Sequence, residues 1–279
     1  MTAPTTSTWR AERAVPLGPR LSVALLATSV VGALAFCWPL LIAPGSALSG
    51  STTAPLVLAV VLAGALVVTL VAVSDGGLDV RAVAMLGLLS AVGALVRPIS
   101  AGSGGVESVF VLLVLGGRVF GAGFGFLLGV VTMFASALLT GGVGPWLPYQ
   151  MLAAGWVGLG AGLLPAGGGG RQGRPGRRQW PAVAEIVLLA AYGAVASVGY
   201  GVIMNLSYWP FLTGTGTELS FVAGAPLGEN LGRFAAYSVV TSLGWDLTRA
   251  VTTVVGIAVF GHMVLVTLRR AARRAVFVE

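Results

Sequence analysis

The sequence predicts an all-α integral membrane protein: a six-helix unit preceded by two further transmembrane helices. Three observations carry that expectation. The 279 residues are 56% hydrophobic and 9% charged, where soluble domains carry roughly a quarter charged residues, and mean hydropathy is +0.94. The apolar runs approach or exceed the ~18 residues of a helical span and lack the ~10-residue alternation of barrel strands. Most of the 42 glycines sit inside those runs, a composition suited to close helix packing in a membrane.

Taken in order, the apolar runs place spans at 21–42, 54–74, 79–97, 106–117, 119–139, 148–164, 182–208 and 246–268. The first run resembles a secretion signal, because arginines precede it and Ala33-Leu34-Ala35 looks like a cleavage site. The run is long, however, and Phe36 is too bulky to precede a lipidated cysteine at 37, so an uncleaved span is expected. The stretch 106–139 is long for one crossing and short for two, with Arg118 near its middle. Arginine clusters settle the count. They lie at the N-terminus (Arg10, Arg13, Arg20), in a basic linker at 165–181 (Arg171, Arg174, Arg177, Arg178) and at the C-terminus (Arg269, Arg270, Arg273, Arg274). The positive-inside rule assigns all three to the cytoplasm, so an even number of crossings separates each pair. Only a split of 106–139 into two spans satisfies this. Both termini are then cytoplasmic, and Arg118 lies on the cytoplasmic side. The expected organisation is a tail (1–20), two additional helices (21–78) and a six-helix unit (79–275). Between the last two spans, 209–245 contains an amphipathic run from Arg233 to Leu247. It is either a helix on the outer surface or an extension of the final span.

Composition excludes several chemistries. All 16 basic residues are arginine, so neither a Walker-type phosphate loop nor a Schiff-base lysine can be built. One cysteine (Cys37) and one histidine (His262) cannot make a Cys/His metal cluster. His262, deep in the last span, is expected to be packed. The motifs HExxH and GxSxG are missing, so the chain is not expected to be an enzyme, and no cofactor is expected in it. The net charge of +7 reads as arginine placed beside spans rather than as a nucleic-acid surface.

Two small-residue stripes run along predicted helix faces. Gly117, Gly121, Gly125 and Gly129 recur every fourth residue, which reads as one face of a helix. Gly193, Ser197, Gly201 and Asn205 form the second, ending in an amide near the outer end of its span.

The order of motifs over 79–275 then carries a resemblance. A small-residue span ends in Arg97-Pro98 and is followed by the loop ISAGSGG and a short span; then come GRVFGAGFGFLLG, GGVGPWLPYQ, GWVGLGAGLLP, the basic linker, and a last span opening WDLTRA and closing LRRAARR. This resembles the substrate-binding S-component of energy-coupling factor (ECF) vitamin transporters, whose core has six helices. The resemblance implies a prokaryotic plasma-membrane subunit that binds a vitamin or related micronutrient at its outer face. It implies partners too: a transmembrane scaffold subunit and two ABC-type ATPases, with ATP bound there and not here. Docking in the family uses small residues on the first core helix. Gly87/Ala91 and Ser90/Ala94 offer that spacing here, making Gly87, Ala91 and Ala94 the candidates.

Candidate substrate contacts come from loops at the outer ends of spans: 97–105, 140–148, 209–245 and 43–53. Trp146 and Tyr149 supply flat apolar area with a polar edge, or equally an interfacial aromatic belt. Gln150 is an amide beside an apolar span and needs a partner. Asn205 ends the second stripe, and Tyr208 and Trp209 follow it. Asp246 and Arg249 are one helical turn apart and can pair, either as a polar wall or as a bridge fixing the helix start. Arg97 can neutralise an anionic group or snorkel to headgroups, and Glu107 can face it across the glycine loop. The glycines at 102, 104 and 105 suit a gate or a plain turn. Two other functions compete with substrate binding for an importer: a self-contained secondary transporter, and a non-transporting membrane assembly protein.

Overall fold

The structure is a computed structural model that describes residues 14–15, 17–41, 54–75, 79–100, 104–165, 181–212 and 217–274. The loop 43–53, Arg10, Arg13, residues 101–103 and most of the basic linker, with Arg171, Arg174, Arg177 and Arg178, lie outside the described residues. Among those residues the chain is helical, with no strand: α1 (Pro19–Leu41), α2 (Ala54–Asp75), α3 (Val80–Ser100), α4 (Val109–Phe120), α5 (Ala122–Thr140), α6 (Leu147–Leu163), α7 (Ala182–Leu212), α8 (Leu227–Thr241) and α9 (Leu243–Arg274). Five of these, α1, α3, α5, α7 and α9, are long and apolar enough to cross a membrane. This is an all-α, membrane-embedded protein.

The shortest apolar helix forms the centre. Val109, Phe110, Leu113, Val114 and Leu115 of α4 are all fully buried, because α3, α5, α6, α7 and α9 pack around it. A helix that is apolar all round belongs inside a bundle, and its 12 residues rise only about 18 Å. At Gly121 the chain reverses. The residue takes φ 96° and ψ 172°, a conformation reserved for glycine, so α4 and α5 form a tight hairpin.

That reversal corrects the single-face reading of the first glycine stripe. Gly117 lies on α4, Gly121 between helices, and Gly125 and Gly129 on α5. Three of the four still share one neighbour: Gly117 and Gly125 abut the Gly158 backbone of α6, and Gly129 abuts Ala154 and Gly155. The stripe thus lets two helices approach a third, backbone to backbone. The second stripe serves the α7–α9 contact. Gly193 meets Thr253, Ser197 hydrogen-bonds Thr253 at 3.1 Å, and Gly201 lies directly beneath the Asp246 carboxylate.

The segment 209–245 also differs from expectation. α7 continues to Leu212, and the amphipathic run becomes a separate helix, α8, ending at Ser242 before α9 starts at Leu243. Asn230, Phe234 and Tyr237 turn inward from α8. His262 is exposed on the outside of α9, not packed: its neighbour Gly261 is the residue that abuts Ile186 and Ile257.

The two ends of the bundle carry different chemistry. At one end Glu185, at the start of α7, receives Arg118 Nε at 2.9 Å and a guanidinium nitrogen of Arg269 at 2.6 Å. Arg118 also donates to the carbonyls of Leu164 and Pro165, both at 3.1 Å. Val15 packs against Gly123 at the start of α5. The N-terminal segment, the α4–α5 turn, the end of α6 and the end of α9 therefore meet at this Glu185 end.

Candidate functional site

The opposite end holds the candidate site. Pro98 falls inside α3, and Gly104 and Gly105 take φ 61° and 91° to turn the chain into α4. Gly105 has no room for a side chain: a Cβ there would stand 2.6 Å from the Trp245 carbonyl oxygen. Gly105 is thus pressed against the first turn of α9, which brings Glu107 over the bundle interior.

Glu107 joins two arginines from distant helices. Its Oε1 lies 3.5 Å from Arg97 Nε, and its Oε2 accepts from Arg249 Nε at 2.8 Å. Arg249 also donates to Asp246 Oδ1 at 2.8 Å and to the Ser197 carbonyl at 3.2 Å. Its guanidinium carbon lies 5.8 Å from the Phe110 ring centroid and 5.2 Å from that of Tyr200, within cation–π range. Arg97 donates to Ser136 Oγ at 3.3 Å. Two cations and two carboxylates, all largely buried, form a connected network linking α3, the segment leading into α4, α7 and α9. Such groups are costly within a membrane and face a bundle interior when they occur. The expected Asp246–Arg249 and Arg97–Glu107 pairs are both formed. The Glu107–Arg249 bond joining them spans 142 positions of sequence, and no local pattern announces it.

A second group consists of polar atoms without hydrogen-bond partners. Tyr149 Oη, Tyr208 Oη and Asn205 Nδ2 are buried and unpaired. Tyr149, 1% exposed, comes from α6. Asn205 and Tyr208 share a face of α7, being three residues apart. The two tyrosine rings meet edge to face at 5.5 Å. Gln150, next to Tyr149 in sequence, is half-buried.

Three sequence-derived candidates have structural neighbours of their own. Trp146 is 43% exposed and folds back on its own turn, donating to the Gly142 carbonyl at 3.1 Å with its ring against Gly144. Trp209 is fully buried and donates to the Leu219 carbonyl at 2.7 Å; with Phe221, Phe234 and Tyr237 around it, it anchors the 217–226 segment and α8. Ala94 is 1% exposed and faces the bundle, like Ser90, so it cannot meet a partner chain. Gly87 and Ala91 remain exposed on α3.

Sequence reading missed the part played by α1. Phe36 meets Tyr149 at 5.1 Å and Trp156 at 5.6 Å, and Trp38 donates to the Ser207 carbonyl at 2.9 Å. An apolar groove of about 540 Å³ opens elsewhere, between α3, α4 and α9, along Val92, Leu112, Val251 and Val255. Its lining is almost wholly apolar, without the convergent polar groups of a small-molecule site. Among the described residues no cluster of His, Cys, Asp and Glu could hold a metal ion. No protein-family model, curated protein or solved structure matches this chain.

Proposed function

We propose that the chain is the substrate-binding membrane subunit of an ECF-type importer, taking up a vitamin or related micronutrient with a separate scaffold subunit and two ATPases. The observation that carries this reading is the convergence of a connected ion network and unpaired buried donors at one end of the helices expected to form the six-helix unit. A membrane anchor has no need of either. The ordered motifs of the S-component resemblance support it, and the lack of lysine leaves ATP hydrolysis to other chains.

Orientation follows from charge. The Glu185 end gathers Arg118 and Arg269, and the positive-inside rule turns that end to the cytoplasm. The site then faces outward in a prokaryotic plasma membrane, with both termini inside. Gly87 and Ala91 offer the scaffold a small-residue face on α3. A second reading, a self-contained secondary transporter, draws support from the same network, since buried carboxylates paired with arginine also serve ion-coupled transport.

Native purification followed by mass spectrometry separates the two. Recovery of two ATPases, a scaffold chain and a bound small molecule is expected. Recovery of the chain alone, with no ATPase across membrane-mild detergents, argues for the second reading.

A further inference from the structure

We infer that α1 is a wall of the substrate site, and that the site receives a flat ring carrying neutral hydrogen-bond acceptors such as ring carbonyls. This rests on the substrate-binding reading above and extends it in two respects: which helices build the site, and what chemistry it recognises.

Tyr149 Oη, Tyr208 Oη and Asn205 Nδ2 each have a hydrogen to donate and no acceptor. Buried polar groups in folded proteins are overwhelmingly paired, and each exception calls for an explanation. Three of them on adjacent faces of α6 and α7 indicate a shared acceptor. The acceptor is neutral, because Arg97 and Arg249 are matched by Glu107 and Asp246, and a buried anion would need a cation of its own. It is part of a ring, because the donors sit among the faces and edges of Phe36, Tyr149 and Tyr208, which favour flat partners.

The wall is α1. This helix is fastened to both donor-bearing helices near the donors themselves. Trp38 Nε1 bonds the carbonyl of Ser207, the residue before Tyr208, at 2.9 Å, and its ring stacks on Phe211 at 5.4 Å. Trp156 of α6 donates to Ser29 Oγ at 2.9 Å. Gly32 leaves room for the Leu152 side chain. Phe36, 1% exposed, completes the enclosure of Tyr149. A helix serving only as an anchor would need contact with lipid, not this set of side-chain bonds around one cluster.

The test uses the full chain in lipid nanodiscs at mildly acidic pH, against empty nanodiscs, and two probes: lumazine, a neutral fused ring with two ring carbonyls, and naphthalene, a fused ring of similar size with no hydrogen-bond acceptor. Lumazine is expected to bind at least about tenfold tighter, the worth of one good hydrogen bond by the usual conversion. Tyr149→Phe and Asn205→Leu should each weaken lumazine by about tenfold while leaving naphthalene unchanged. Phe36→Ala should weaken both probes alike, with Phe36→Leu as the milder variant if folding suffers. The single cysteine, Cys37, adjoins Phe36, so bound lumazine should slow its alkylation. Absence of lumazine binding, equal binding of the two probes, or indifference to both Phe36 variants overturns the inference. ATPase partners co-purifying with a chain that fails this test would leave the importer reading standing. Donor-dependent lumazine binding without any ATPase partner would do the reverse.

Discussion

Replacing Glu107 by Gln removes one of the two negative charges that balance Arg97 and Arg249. The carboxylate is 16% exposed and touches both guanidiniums. Removing one partner of a buried ion pair costs about 3–5 kcal/mol, because the other charge is left uncompensated. Here Arg249 keeps Asp246 and the Ser197 carbonyl, and the Gln amide oxygen can still accept. The expected cost therefore falls at or below the lower edge, about 2–3 kcal/mol. For a chain of this size that lowers the melting temperature by about 5–10 °C. Tryptophan fluorescence during heating of the detergent-solubilised protein measures it. Adding Arg97→Gln restores charge balance, with one cation and one carboxylate left. The double variant should then be about 1–2 kcal/mol more stable than the two single effects summed. A Glu107→Gln protein that melts within about 1 °C of the original, or a strictly additive double variant, would show that the four charges do not act as one network.

Other outcomes follow from packing and from the opposite end of the bundle. Gly125→Ala would set a Cβ 2.5 Å from the Gly158 carbonyl carbon and 2.8 Å from Gly117 Cα; overpacking against backbone should cost about 1–3 kcal/mol, whereas Gly87→Ala, inside α3 with nothing within 4 Å, should leave the melting temperature unchanged or raise it. Trp209→Phe leaves the Leu219 carbonyl unpaired, about 1–2 kcal/mol, and should speed proteolysis within 217–226 more than elsewhere. Glu185→Gln should destabilise less than Glu107→Gln, because Arg118 retains two carbonyl acceptors and Arg269 is 43% exposed; comparison of the two melting curves decides it.

Where the sequence was informative, the cause was local. Apolar run length marks each long helix, and Asp246–Arg249 is a pairing one turn apart that helix geometry dictates. The split of 106–139 came from arginine parity, and Gly121 supplies the reversal by its positive φ. What sequence could not show was long-range. The Glu107–Arg249 bond depends on Gly105 seating the loop against Trp245. The two-tyrosine cluster depends on α6 lying against α7, with Phe36 of α1 on Tyr149. Aromatic identity also misleads when direction is unknown: Trp146 and Trp209 flank the same end, yet one turns back onto its own loop and the other fills a small separate core. Ala94 shows the same limit, since a residue spaced three positions from Ala91 on α3 sits on a different side of the exposed face.

The central claim, that this chain binds a micronutrient whose import other subunits power, is tested most directly by uptake into proteoliposomes. Vesicles holding the chain with its co-purified partners should accumulate labelled substrate only when ATP is supplied, and vesicles holding the chain alone should bind substrate without accumulating it. Accumulation by the chain alone, without ATP and driven by an imposed ion gradient, would contradict the account.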